Sequence, residues 1–203
     1  MTSGISDQSS PDSTTLGEWL FRRRTVIPVP FAMALLLLPS GAARFSRSFV
    51  VAGVAMSAAG ELVRLFSVHH IGVISRTRSE RLGPLITTGP FRIVRNPLYV
   101  GNLLVWVGFA FTARVPWAAP VIAALLLMEY HLIVRWEESR LEERYGSVYR
   151  NYVARVPRWL PRWPHTMDVT RGGAAFSWRE SFFSERGTLL AIAAGYLLLW
   201  LKA

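Results

Sequence analysis

The sequence predicts an all-α, polytopic membrane protein with about five transmembrane helices. Hydrophobic residues make up 51% of the chain, which is more than ordinary soluble domains carry. They are concentrated in blocks that alternate with Arg-rich stretches. Because hydrocarbon offers no partners to open backbone N–H and C=O groups, such blocks predict helices that satisfy their own backbone.

The predicted spans are five apolar blocks, at residues 25–38, 48–68, 98–112, 116–134 and 187–201. Only three residues separate the third block from the fourth, so these two are expected to form a tight helical hairpin. The first block is short and carries Pro28 and Pro30. It could also belong to a signal peptide cleaved near Ser40 and Ala42, but the long polar stretch before it favours an uncleaved anchor.

The basic residues support these spans and their orientation. With the N-terminus inside, 18 of the 23 Lys and Arg residues fall in inside segments and four in outside segments, and Arg64 lies within the second span. Cytoplasmic loops carry this kind of excess. We therefore expect an integral protein of a bacterial inner membrane with a cytoplasmic N-terminus. The net charge of +10 is assigned to contacts with anionic lipid, and no nucleic acid partner is expected.

Composition also predicts the domain organisation. Residues 1–20 are rich in Ser, Thr and Asp and are expected to form a disordered tail, and residues 21–203 to form one transmembrane domain. The absence of cysteine excludes disulfides, thiolate metal ligands and a Cys nucleophile. His69 and His70 are adjacent on a predicted helix and point about 100° apart, so no metal site is predicted.

The first polar segment of interest is LITTGPFRIVRNPLYVG, from Leu85 to Gly101. Gly89-Pro90 is a turn signal, and Pro97 suits the first position of a helix with Asn96 as its N-cap. The free N–H groups of that helix start, with Arg92 and Arg95 beside them, would suit a carboxylate or phosphate. The alternative is an ordinary capped transmembrane helix with arginines at the interface.

The second segment is RWEESRLEERYGSVYRNYVARVPRWLP, which continues the fourth span as a charged helix. Glu137 and Glu138 come where that helix leaves the bilayer. They could bind sugar hydroxyls or an amine, or they could pair along the helix with Arg140 and Arg144. The aromatic residues here are expected to form an interfacial belt: Tyr145, Tyr149, Tyr152, Trp159 and Trp163.

Several ionisable residues fall inside predicted spans, where an unpaired charge costs roughly 2.5 to 3.5 kcal/mol on insertion scales. Glu61 and Arg64 lie one helical turn apart and are expected to form a structural pair. Glu129 and His131 lie in the inner half of the fourth span.

Together, the two polar segments carry a two-part pattern. It reads T-T-G-P-F-R-x-x-R-N-P-L-Y-V-G, then a helical hairpin, then E-E-x-x-L-x-x-x-Y-G-x-x-Y-x-x-Y-x-x-x-V-P. Over residues 85–161 the chain closely resembles the isoprenylcysteine carboxyl methyltransferase family and its phospholipid methyltransferase relatives. The resemblance implies an integral membrane enzyme without a Rossmann domain. It would transfer a methyl group from S-adenosylmethionine, bound at the cytoplasmic face, to a lipophilic acceptor from the membrane.

The resemblance also implies a set of cofactor-binding residues, with backbone N–H groups at the helix start holding the aminocarboxylate end and Glu137 facing polar groups of the cofactor. These residues are Gly83, Pro84, Leu85, Ile86, Phe91, Arg95, Asn96, Pro97, Leu98, Tyr99, Glu137 and Glu138. Catalytic residues stay unassigned, because an activated methyl donor needs mainly alignment with its acceptor. For a neutral acceptor, His70 and Glu129 are candidate bases.

Three positions depart from the family pattern. Asn96 replaces a His, Phe91 replaces a Tyr, and Ile133 stands where the eukaryotic prenylcysteine enzyme has an acceptor-binding Arg. A prenylcysteine carboxylate is therefore not supported as the acceptor, which stays open among phospholipid amines, isoprenoid or hopanoid lipids, fatty acids and small thiols. Two other functions stay open: an NADPH-dependent membrane reductase of the sterol type, and a non-enzymatic membrane component.

Overall fold

The structure is a computed structural model, and it describes residues 11–39, 47–71, 85–162 and 177–202. Within these ranges every regular element is helical, which confirms the predicted all-α fold. A 3₁₀ turn, Gly89–Arg92, precedes the fourth α-helix. The α-helices in chain order are α1 Pro11–Arg23, α2 Val29–Leu37, α3 Arg47–Ile71, α4 Pro97–Thr112, α5 Ala118–Tyr145, α6 Ser147–Arg155 and α7 Trp178–Lys202.

Three of these helices are long and apolar enough to cross a membrane. They are α3, α5 and α7, with 25, 28 and 25 residues. At a rise of 1.5 Å per residue, each exceeds the roughly 30 Å of bilayer hydrocarbon. Helix α4 is apolar but shorter, with 16 residues. The chain is an integral membrane protein, and these four helices correspond to the predicted spans at 48–68, 98–112, 116–134 and 187–201.

The predicted span at residues 25–38 contains only a short helix. The helix there, α2, has nine residues and is only about 13 Å long. Turns occupy residues 24–28 before it, because Pro28 and Pro30 limit the backbone at its start. The far end of α2 is instead tied to the last helix, since the Lys202 ammonium donates to the backbone carbonyls of Leu35 and Leu38.

Residues 11–20 of the expected disordered tail belong to helix α1, and residues 1–10 lie outside the described range. Helix α1 packs closely on α5. A Cβ atom added to Gly17 would lie 2.7 Å from the Leu132 carbonyl oxygen, and the Phe21 and Trp136 rings are 4.9 Å apart. The composition of residues 1–20 did not indicate this contact, because it depends on Gly17 and Phe21, which lie one helical turn apart and face α5.

Helices α3 and α4 are antiparallel and in backbone contact. A Cβ atom on Gly60 would lie 2.5 Å from the Gly101 carbonyl oxygen, and one on Gly108 would lie 2.5 Å from the Gly53 carbonyl oxygen. Small residues at these positions let two membrane helices approach closely. This packing holds the first residue of α4 near the last turns of α3.

The predicted hairpin between the third and fourth spans is confirmed. Helix α4 ends at Thr112 and α5 begins at Ala118, and Val115 N–H donates to the Ala110 carbonyl across the turn. The facing sides of the two helices form the main core with Val105, Phe109, Ile122, Leu126 and Ile133. The start of α4 and the charged end of α5 therefore lie at the same end of the bundle.

Candidate active site

The first polar segment folds into the 3₁₀ turn and a short link to α4. Gly89 has φ +58°, which favours glycine, and Phe91 N–H donates to the Thr88 carbonyl at 3.2 Å. Ile86 and Phe91 are each 8% exposed, so they hold the segment against the bundle. The predicted Gly-Pro turn is present.

Helix α4 begins at the predicted residue, but its cap differs from the prediction. Pro97 is its first residue and is buried. Asn96 occupies the N-cap position, yet its side chain makes no capping hydrogen bond. Its amide nitrogen donates instead to the Arg158 carbonyl, at 3.4 Å. The Asn96 side chain thus links two segments of the chain, and it does not accept a hydrogen bond from the first backbone N–H groups of α4.

The second polar segment returns to the first. Helix α5 ends at Tyr145 and is followed by Gly146, which has φ +53°, and the chain after α6 runs alongside residues 91–96. Arg95 N–H donates to the Pro157 carbonyl at 2.9 Å. The Tyr152 hydroxyl donates to the Phe91 carbonyl at 2.8 Å. Backbone and side-chain bonds therefore fix the two segments to each other.

The carboxylates of Glu137 and Glu138, on the charged part of α5, lie where the two polar segments meet. The Tyr99 hydroxyl donates to Glu137 Oε1 at 3.2 Å. Glu138 accepts from Arg158, through Oε2 at 2.5 Å and through Oε1 at 3.2 Å, and Arg95 Nη1 lies 3.0 Å from Oε1. The alternative pairing along the helix is not observed, since Arg140 lies over the Trp136 ring instead.

The expected aromatic belt is wrong for two of its members. Tyr149 and Tyr152 are only 3% and 7% exposed, and they form a second small core with Val156. Burial raises the pKa of both hydroxyls above the usual range of tyrosine, so both stay protonated and can donate. They are buried because α6 folds back onto the first segment. Trp163 lies outside the described residues.

We call this region the junction: residues 85–99, 137–138 and 149–162. It contains ten of the predicted cofactor-binding residues, namely Leu85, Ile86, Phe91, Arg95, Asn96, Pro97, Leu98, Tyr99, Glu137 and Glu138. Gly83 and Pro84 lie outside the described residues. Sequence reasoning missed Arg158. Its guanidinium donates to Glu138, and its backbone carbonyl accepts from the Asn96 side chain. The position of Arg158 one residue after the V-P of the family pattern was the available signal.

A second group of polar residues lies inside the bundle, and we call it the Arg64 cluster. Arg64 Nε donates to Glu61 at 3.2 Å, which confirms the predicted pair. The same guanidinium donates to Glu185 at 2.6 Å and to Thr188 at 2.9 Å, both from α7, and also to Asn102 of α4. Sequence reasoning missed the last three, because their spacing along the chain gives no sign of this meeting.

Of the other predicted ionisable residues, Glu129 and His131 stand apart from the junction, whereas the His70 ring lies against Gly89. Glu129 is 7% exposed, and neither of its oxygens has a hydrogen-bond partner in the described part of the chain. It lies eight residues before Glu137, or about 12 Å along the helix axis. His131 is exposed. His70 Nδ1 contacts the Phe66 carbonyl at 2.7 Å.

Comparison with known proteins identifies the domain that carries this geometry. Residues 48–148 match the family model described as phospholipid methyltransferase. The chain contains a domain of the phospholipid methyltransferase family. The matched range runs from α3 into α6, so it includes the start of α4 and both carboxylates of this methyltransferase-family domain. Arg158, Tyr152 and the whole of α7 lie beyond it.

Curated relatives of the chain differ in the activity that their names give. The chain is 31% identical over 90 residues to phosphatidyl-N-methylethanolamine N-methyltransferase of Saccharomyces cerevisiae, covering 42% of this chain and 43% of the relative. It is 37% identical over 79 residues to the nickel-cobalt-cadmium resistance protein NccN of Alcaligenes xylosoxydans xylosoxydans, covering 38% and 36%. It is 28% identical over 113 residues to protein-S-isoprenylcysteine O-methyltransferase B of Arabidopsis thaliana, covering 54% and 57%.

The chain thus spans less than two thirds of the length of each of these three relatives. No solved structure matches it significantly.

Proposed function

We propose that the chain transfers a methyl group from S-adenosylmethionine to a lipophilic acceptor at the cytoplasmic face of the membrane. One observation carries this proposal. The two motif segments, about 40 residues apart in sequence, meet through the Tyr99 and Glu137 bond at 3.2 Å. A contact between a helix start and a carboxylate offers both donors and an acceptor to a zwitterionic cofactor.

The residues of the junction fit the donor. Arg95 Nε is buried and has no hydrogen-bond partner among the residues that the structure describes, so it can donate to a carboxylate. The Leu98 N–H in the first turn of α4 is a second donor of the kind that helix starts offer to anions. Glu137 can accept hydrogen bonds from an ammonium or from ribose hydroxyls. Arg158 and Arg95 hold Glu138 beside it.

The bound donor supplies a methyl group that its sulfonium charge already activates. In the transfer, the bond from sulfur to the methyl carbon would break as the bond from the acceptor to that carbon forms, the proton of the acceptor would pass to solvent, and S-adenosylhomocysteine would leave. The chain contributes position, because alignment of two reactants can supply several kcal/mol. Packing of the second core around Tyr149 and Tyr152 keeps water from one side of the junction.

The membrane assignment and the relatives support the proposed face and acceptor class. Arginines are concentrated in the segments that flank the junction, which supports the cytoplasmic side under the positive-inside rule. The names of two relatives give a phospholipid amine and a prenylated cysteine as acceptors. Both of these acceptors carry a hydrocarbon tail, which supports a lipophilic acceptor for this protein.

The test is incubation of the purified chain with methyl-labelled S-adenosylmethionine and a total lipid extract from its host. We expect label to enter the lipid fraction and the labelled product to identify the acceptor. Equilibrium dialysis with NADPH is run in parallel. Binding of NADPH without binding of S-adenosylmethionine would replace the proposal with the reductase, and binding of neither would replace it with a non-enzymatic component.

A further inference from the structure

A groove lies on the outer side of the 3₁₀ turn, away from α6. It has a volume of about 660 Å³ and runs between the last turns of α3 and the turn. Its lining residues are Leu62, Val63, Phe66, His70, Gly89, Pro90, Arg92 and Ile93. Leu62 and Phe66 are 55% and 47% exposed and lie one turn apart on α3, so one wall of the groove is open to the surrounding hydrocarbon.

The groove has one cation at its polar end. Arg92 Nε is buried, and no described residue accepts a hydrogen bond from it. A buried donor without a partner costs about 1 to 3 kcal/mol, so an anion in the groove would recover this free energy. A guanidinium suits a phosphate or a carboxylate because it can present two parallel N–H groups.

The shape of the groove depends on a close contact between His70 and Gly89. A Cβ atom on Gly89 would lie 2.4 Å from the His70 ring. The carbonyl of Phe66 can only accept, so the proton of the neutral ring is on Nδ1, 2.7 Å away. This bond fixes the ring against the glycine and closes the end of the groove beside Arg92.

The groove and the junction share one segment of chain. The Phe91 carbonyl accepts the Tyr152 hydroxyl on the junction side, while its neighbours Pro90 and Arg92 line the groove. We propose that the groove holds the methyl acceptor, and that the acceptor is an amphiphile whose anionic headgroup contacts Arg92 while its hydrocarbon chain lies along Leu62 and Phe66. This inference rests on the proposed function.

Charge favours this occupant over a segment of the protein itself. Residues 72–84, which follow α3 and lie outside the described residues, contain Arg76, Arg78 and Arg81 and only one acidic residue, Glu80. Like charges disfavour their approach to the Arg92 guanidinium. An anionic phospholipid of the inner leaflet brings the opposite charge and a chain that matches the apolar wall.

The test measures lipid retention by the purified full chain in a neutral detergent. Dioleoyl phosphatidylglycerol and dioleoyl phosphatidylcholine are titrated separately, and bound lipid is counted by native mass spectrometry. We expect a preference for phosphatidylglycerol that falls roughly tenfold or more in Arg92→Gln, because a hydrogen bond to a charged group is lost. Arg155→Gln, at the exposed end of α6, is the matched control and retains the preference.

Two further variants keep the result interpretable. Arg92→Lys keeps the charge and is expected to retain part of the preference. Leu62→Trp fills the open wall and is expected to weaken binding of both lipids. In each variant, the helical circular dichroism signal and the elution volume are measured in the same preparation and are expected to equal those of the unmodified chain, which shows that the variant is folded.

Each outcome has a defined meaning. Equal retention of phosphatidylglycerol by the unmodified chain and by Arg92→Gln overturns the groove, and so does retention of neither lipid. If Arg92→Gln loses the lipid preference but does not raise the KM for the acceptor identified by labelling, the acceptor role alone is overturned. Absence of S-adenosylmethionine binding overturns the proposed function, and lipid retention still decides whether the groove binds lipid.

Discussion

The Arg64 cluster and the junction are both built from arginine and glutamate, but they differ in how completely their groups are used. In the cluster every guanidinium nitrogen of Arg64 has an acceptor, and Glu185 is 0% exposed. In the junction Arg158 is 29% and Glu138 13% exposed, and Arg95 Nε is without a hydrogen bond to any residue of the described ranges.

This difference separates a structural contact from a binding site. A charge that is fully paired within the bundle can only stabilise helix packing, and its ligands are the helices themselves. A charged region that is partly exposed, with an unused donor and a helix start, can still take up a ligand. The same residue types therefore predict opposite responses to mutation in the two regions.

The largest expected effect is in the cluster. Arg64→Met leaves Glu61 and Glu185 buried without their cation, so we expect the free energy of unfolding to fall by about 3 to 5 kcal/mol. Denaturant titration in a fixed detergent, followed by circular dichroism, measures this. Arg135→Met, at an exposed position on α5, is the control and should change the free energy by less than about 0.5 kcal/mol. Equal free energies of unfolding for the unmodified chain and Arg64→Met would show that the cluster has no structural role.

A smaller effect is expected where α3 and α4 touch beside the cluster. Gly60→Ala forces a methyl group to within 2.5 Å of the Gly101 carbonyl oxygen, so the unfolding free energy should fall by about 1 to 3 kcal/mol. Gly187→Ala makes the same change in α7 with nothing within 4 Å, and a helical alanine should stabilise it by about 0.5 to 1 kcal/mol. The contact is refuted if both variants shift in the same direction.

The smallest effect on stability is expected in the junction. Tyr152→Phe removes the 2.8 Å bond to the Phe91 carbonyl and should cost about 1 kcal/mol. Because this bond positions the 3₁₀ turn, we also expect weaker binding of S-adenosylmethionine. Val153→Ala, on the same helix, is the control for a loss of packing alone. A Tyr152 variant that binds the cofactor as well as the control does would show that the bond has no role in the site.

Helix positions were predictable from apolar blocks, because a span must be apolar along its whole length. The block 48–68 became α3, Arg47–Ile71, and the block 98–112 became α4, Pro97–Thr112. Helix α7 begins nine residues before its block, since the polar residues that precede it continue the helix outside the hydrocarbon. Helix α1 was missed because its packing depends on Gly17 and Phe21 and not on composition.

The junction was predictable only as two segments. The residues from Leu85 to Tyr99 and the pair Glu137 and Glu138 carried turn, cap and family signals. Which partner each carboxylate has could not be read from spacing, because the Tyr99 and Arg95 contacts depend on how α5 packs beside α4. The same reason applies to Glu185, which reaches Arg64 from a helix more than 100 residues away in sequence.

The central claim is that the junction binds S-adenosylmethionine, and isothermal titration of the purified chain with that cofactor tests it most directly. Glu137→Gln removes a charge from the junction, and Glu142→Gln, which is 51% exposed and pairs with Arg150, removes one from the surface of the same helix. We expect Glu137→Gln to lower the affinity roughly tenfold or more and Glu142→Gln to leave it unchanged. Equal affinities in all three proteins, or no binding by the unmodified chain, would contradict the claim.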